Sequence, residues 1–142
     1  MRGNLQEVTT HPSVHVCLPS DTRAASAARQ SLRLLEGYMP EETIQDVYLL
    51  VTELVSNSVK HASLSDQEIQ VDADPTDRGI RVEVTNQGGA QLANQLPEKA
   101  EESGWGLMLV TKIASRWGIA TNGHTLVWFE IDLGRKPSIL SA

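Results

Sequence analysis

The sequence predicts an α+β fold, a two-layer α/β sandwich with three helices on one face of a mixed, mostly antiparallel sheet. Three observations lead there. The stretch DVYLLVTELVSNSVKHA, residues 46–62, repeats apolar residues at helical spacing. Residues 68–85 then switch to a period of two. The order of segments is strand, helix, helix, strand, strand, loop, helix, strand, strand, which groups helices together and leaves strands in hairpins.

Each element has its own signal. Val14, Val16 and Leu18 alternate with His15 and Cys17 and suggest a strand that Pro19 ends. Ser20 or Asp21 can cap a helix running to about Glu36, with Ala24, Ala28, Leu32 and Leu35 as its inward stripe and Gly37 as its stop. Arg29 and Arg33 lie one turn apart on it, either as solvated charges or as part of a partner-binding surface. Pro40, Glu41 and Glu42 open the second helix with the acidic bias that a helix N-terminus favours. Ile69, Val71 and Ala73, then Ile80, Val82 and Val84, form the buried face of a hairpin turning at residues 74–79. A long polar loop, 86–104, follows, and loops of that length in a compact domain are usually functional. The third helix is expected from Trp105 to about Arg116, with Gly118 as its stop. Asn122-Gly123 is a hairpin signal joining 118–121 to 124–133, where Thr125, Val127, Phe129 and Ile131 share one face. Trp117 and Trp128 are expected in the core.

Length and charge bound the function. With 142 residues, 40% hydrophobic and 21% charged, the chain is one domain long. We divide it into an N-terminal arm (1–13), a domain (14–134) and a C-terminal tail (135–142). Eighteen acidic against 12 basic residues give a net charge of -6, which sets the field against a nucleic-acid partner. The single cysteine, Cys17, excludes an internal disulfide, and neither a signal peptide nor an apolar run near the roughly 20 residues of a membrane span is seen, so a cytoplasmic location is expected. His11, His15, His61 and His124 show no metal-ligand spacing, which argues against a zinc site.

Within the second helix, Val47, Val51, Leu54, Val55 and Ser58 make a core-facing stripe, whereas Asp46, Glu53, Asn57 and Lys60 recur on another face. Glu53 and Asn57 project side by side one turn apart. A carboxylate there can take a proton, and the amide oxygen can ligate a hard cation. Further along stand Asn86-Gln87-Gly88-Gly89 at a strand end, Gly104-Trp105-Gly106-Leu107 opening a helix, and Thr125 at the start of the last strand. Glycines ahead of a helix let backbone amides approach an anion at its positive end.

In this order and spacing, TELVSNSVKHA and SGWGLMLV resemble the nucleotide-binding domain shared by DNA gyrase B, histidine kinases and MutL, a Bergerat-type ATP-binding fold. Within that superfamily the chain resembles the bacterial anti-sigma-factor serine/threonine kinases over residues 14–133. The resemblance implies that Glu53 is the catalytic base, Asn57 the Mg²⁺ ligand, and Lys60 and His61 the basic end of the same box. It implies Gly88 in the adenine turn, Gly104 and Gly106 in the phosphate-binding turn, Leu107 among the nucleotide-binding residues, Thr125 beneath the base, and a lid over 87–104, while Trp105, inside the glycine turn, is either a surface aromatic or a cover over the bound nucleotide. ATP and Mg²⁺ would be the cofactors. A sigma factor and an antagonist protein phosphorylated on serine or threonine would be the partners, and a homodimer the assembly.

Two departures stand out. The family pattern Asp-x-Gly-x-Gly reads Asn86-Gln87-Gly88-Gly89-Ala90 here, so a neutral amide replaces the carboxylate that accepts the adenine amino group, and Ala90 replaces a glycine. These substitutions favour a rival function, a regulatory module that sequesters a protein partner while binding nucleotide weakly or not at all. Intact Glu53 and Asn57 favour the kinase.

Overall fold

The computed structural model describes residues 12–61, 68–86, 107–121 and 123–134. Strand β1 (Val14–Pro19) leads into helix α1 (Ala24–Leu32), extended by a 3₁₀ turn over Arg33–Leu35. Helix α2 spans Glu41–His61, and strands β2 (Glu68–Pro75) and β3 (Gly79–Asn86) follow. After the short helix α3 (Leu107–Ile113) come β4 (Arg116–Thr121) and β5 (Thr125–Asp132). The fold is the expected α+β sandwich. Among the described residues, no helix is long and apolar enough to cross a membrane.

The sheet order is β1-β2-β3-β5-β4, and all four pairings are antiparallel. No parallel ladder forms because β5 inserts between β3 and β4. Those two strands run in the same direction without touching, so the parallel component of the expected mixed sheet is absent among the described strands.

Alternation sorts the side chains. Val71, Ala73, Ile80, Val82, Phe129 and Ile131 point to the helical layer, where they meet Ala28, Leu32, Leu35, Val47, Leu50, Val51 and Val55 in one core. The same alternation corrects the expectation for Trp128. With Val127 and Phe129 inward, Trp128 must point to the other face, where it lies opposite Gly118 and carries the Arg81 guanidinium 4.2 Å from its ring. Trp117, its neighbour in parity with Phe129, packs half-buried against the core.

Three boundaries differ from expectation. Helix α1 starts at Ala24 without a side-chain cap. Asp21 instead turns its carboxylate onto the Arg23 backbone amide at 2.8 Å and its guanidinium at 2.9 Å, a local turn that precedes the helix. Helix α3 ends at Ile113 because Ser115 already belongs to the sheet: its amide donates to the Glu130 carbonyl and its hydroxyl accepts from the Asp132 amide. Strand β4 accordingly begins at Arg116, whose guanidinium bonds Glu130 at 2.9 Å and Asp132 at 2.6 Å on the outer face. Arg81 extends this ladder to Glu83 and Glu130.

The β2–β3 hairpin is organised by Thr76, whose hydroxyl accepts from the amides of Arg78 and Gly79. Gly79 then enters the sheet so close to β5 that a Cβ there would run into the Ile131 carbonyl oxygen. Gly79→Ala is therefore expected to destabilise the protein by about 1–3 kcal/mol, the scale of an overpacked interior, as a lower urea midpoint with unchanged slope. An unchanged midpoint would show that β3 and β5 are not this close.

Candidate functional site

Helix α2 sets the site. Its apolar stripe, including the expected Val47, Val51, Leu54, Val55 and Ser58, is buried against sheet and α1. Glu53 projects half-buried at the edge of this stripe, while Asn57, one turn on, is only 6% exposed. The Asn57 side-chain nitrogen is fully enclosed and has no hydrogen-bond partner among the described residues. Leaving a buried amide group unmatched costs about 1–3 kcal/mol, so a polar residue held there points to a ligand that completes it. Asp46, two turns before Glu53, is also half-buried, and burial pushes its carboxyl above the usual range, with the Glu42 charge adding to the effect.

The second half of the site is on the sheet. Asn86 ends β3 with 2% exposure, and Thr125 opens β5 with 3%; the register sets them directly opposite each other. Ile69 of β2 flanks Asn86 on its other side. Asn86 and Thr125 thus form a polar pair at one end of an inner face otherwise lined by Val, Ile and Phe. Helix α2 and strand β3, which carry the two halves, are in contact within the helix–sheet sandwich. Leu107, 3% exposed, opens α3, which packs against α2.

Of the expected site residues, Glu53 and Asn57 share one helix face, Asn86 and Thr125 share one strand pair, and Leu107 starts its helix. Lys60 and His61 lie in the last turn of α2, their side chains outside the described residues; Gly88, Gly104, Trp105 and Gly106 are also outside them, as is the lid. The described residues contain no group of three or more His, Cys, Asp and Glu able to hold a metal ion. A cation here would rest on Asn57 and on oxygens of the ligand itself, which is how Mg²⁺ is commonly held beside phosphates.

The model of the histidine kinase-like ATPase domain family matches residues 18–131. The chain belongs to this family. That match spans both halves of the site, from β1 to the end of β5, and family membership implies ATP binding together with a metal ion. The chemistry of buried Asn57 fits such a ligand, since a side-chain amide oxygen suits a hard cation. A search of curated proteins gave no significant match.

The structure adds neighbours to the Arg29 and Arg33 surface that the sequence had marked. A cleft of about 370 Å³ between α1 and α2 is lined by Ser26, Arg29, Gln30, Arg33, Gln45 and Tyr48, with Glu36 at its end. Tyr48 donates to the Glu36 carboxylate at 2.5 Å, and burial, helped by that carboxylate, pushes its hydroxyl up to about 12. Arg29 and Arg33 form no ion pair among the described residues, whereas Arg23, Arg81 and Arg116 do. The arginine spacing was visible in the sequence; the Tyr48–Glu36 bond joins two separate elements and was not.

Because the buried Asn57 side-chain nitrogen has no partner among the described residues, Asn57→Leu is expected to leave stability unchanged or raise it by about 1 kcal/mol while abolishing Mg-ATP binding. Urea unfolding and nucleotide titration on the same variant check both halves. A destabilisation of about 2 kcal/mol or more would assign Asn57 to the fold and not to a ligand.

Proposed function

We propose that this protein is an ATP-dependent serine/threonine kinase that acts as an anti-sigma factor. In this reading it sequesters a sigma factor in the cytoplasm as a homodimer and phosphorylates a serine or threonine of an antagonist protein. The observation that carries the catalytic part is the placing of half-buried Glu53 one turn from buried Asn57, whose side-chain nitrogen has no partner among the described residues, in a fold that also sets Asn86 opposite Thr125. Resemblance to anti-sigma-factor kinases supports the rest.

Mg²⁺, when bound, supplies charge neutralisation of the phosphates. The chain does the positioning. Asn57 would hold the cation, Asn86 and Thr125 would present neutral polar groups to the base, and Leu107 would stand beside the nucleotide at the start of α3. Glu53 orients the acceptor hydroxyl and takes its proton, a role that asks for a carboxylate at the site's edge and not in the core. Its half-burial suits that role. The α1–α2 cleft supports the binding part: two arginines without ion pairs among the described residues, beside a neutral Tyr48, favour an acidic protein segment.

The neutral amide of Asn86 favours a second reading, in which the domain sequesters its partner with weak nucleotide binding and no turnover. Glu53→Gln separates the two. Phosphotransfer to the antagonist is expected to fall at least about a hundredfold with nucleotide binding retained. No transfer by the unsubstituted protein, with partner binding intact, would favour the second reading. Reversal of both charges, Arg29→Glu with Arg33→Glu, is expected to weaken the sigma-factor complex and leave nucleotide affinity unchanged. An unchanged complex would leave both arginines as solvated charges.

A further inference from the structure

We propose that His15 is a proton-controlled latch that fastens the edge strand β1 to β2. Its ring lies between two carboxylates of β2, with Nδ1 2.6 Å from Asp72 Oδ1 and Nε2 3.2 Å from Asp74 Oδ1. A carboxylate only accepts hydrogen bonds, so both contacts are hydrogen bonds only when both ring nitrogens carry a proton. The neutral ring makes one and turns a lone pair toward the other carboxylate. The geometry therefore selects the imidazolium.

The surroundings reinforce that choice. On β1 the ring shares its face with Cys17; on β2 it meets Asp72, Asp74 and Gln70, whose amide nitrogen donates to both Asp72 oxygens. Beyond β2, β3 sets Glu83 opposite Asp72, a like-charge pair, and Arg81 opposite Asp74. Arg81 is already engaged by Glu83 and Glu130. The proton on His15 is thus the charge that faces Asp72 and Asp74 from β1. The hydrogen bond to Asp72 raises the His15 pKa above its ordinary 6.5, partial desolvation opposes it, and the Asp74 charge adds to the rise.

β1 is where such a contact tells. Among the described strands it borders β2 alone, and its described burial rests on Val14 and Leu18, with Val16 half-buried. Edge elements with few buried side chains open at low cost. Because the folded-state value is raised, the contribution of the latch is complete below about 6.5 and is lost as pH rises through the raised value. Opening of β1 would pass to α1, which follows it directly and packs on it.

Amide hydrogen exchange by NMR between pH 6 and 9 tests this, read as the ratio of protection in β1 to protection in β3, so that the intrinsic pH dependence of exchange cancels. The ratio is expected to fall about two- to fivefold as pH rises, the scale of an exposed ion pair. The His15 ring should titrate above 6.5, Asp74→Asn should move that titration down, and His15→Gln should give a ratio independent of pH. A ring titrating at or below the ordinary value, or the same pH dependence in His15→Gln, would overturn the latch.

Discussion

Helix α2 must serve two neighbours at once, and the rest of the molecule follows from that constraint. Its apolar stripe, from Ile44 to Val55, covers the centre of the sheet and fixes where β2, β3 and β5 lie. The same rotation carries Glu53 to the half-buried edge of this stripe and Asn57, one turn on, to a buried position beside it. The core thus fixes the position of the chemistry. A helix that slipped by one residue on the sheet would bury Glu53 and expose the Val51–Val55 pair, so the packing that stabilises the fold also sets the site's geometry. The enclosed Asn57 amide is a local cost that hydrophobic burial around it offsets.

The two faces of the sheet are held differently. The inner face is dry and apolar until Asn86 and Thr125. On the outer face, Arg116, Glu130, Arg81 and Glu83 link β4, β5 and β3 into a ladder of alternating charge, and Trp128 packs under Arg81 above the space left by Gly118. Exposed ion pairs contribute little singly, but this ladder is partly buried and shared among several partners. At the opposite edge, the same face carries His15 between Asp72 and Asp74.

Much of this was legible in the sequence because it depends on local periodicity. The stripe of α2, the alternation of β2 and β3, and the inward set Thr125, Val127, Phe129 and Ile131 all follow from side-chain period, and the structure keeps each of them. Glu53 and Asn57 were legible for the same reason. What was not legible depends on long-range pairing. The β4–β5 hairpin was visible in Asn122-Gly123, but the pairing of β5 with β3, which leaves every described ladder antiparallel, joins strands far apart in the chain. Trp128 was misplaced because size suggested the core, although its own strand's alternation pointed outward. The opposition of Asn86 and Thr125, and the Tyr48–Glu36 bond beside Arg29 and Arg33, join residues far apart in the chain or on different elements.

The central claim is that a neutral amide at position 86 and the Glu53–Asn57 pair still make a nucleotide site. Calorimetric titration of Mg-ATP and Mg-GTP against the protein and against Asn86→Asp tests it most directly. An amide both donates and accepts, so ATP binding should survive with a preference over GTP within about tenfold, and the carboxylate variant should bind ATP more tightly and discriminate more strictly. Absence of binding by either nucleotide at millimolar concentration, in both proteins, would contradict it.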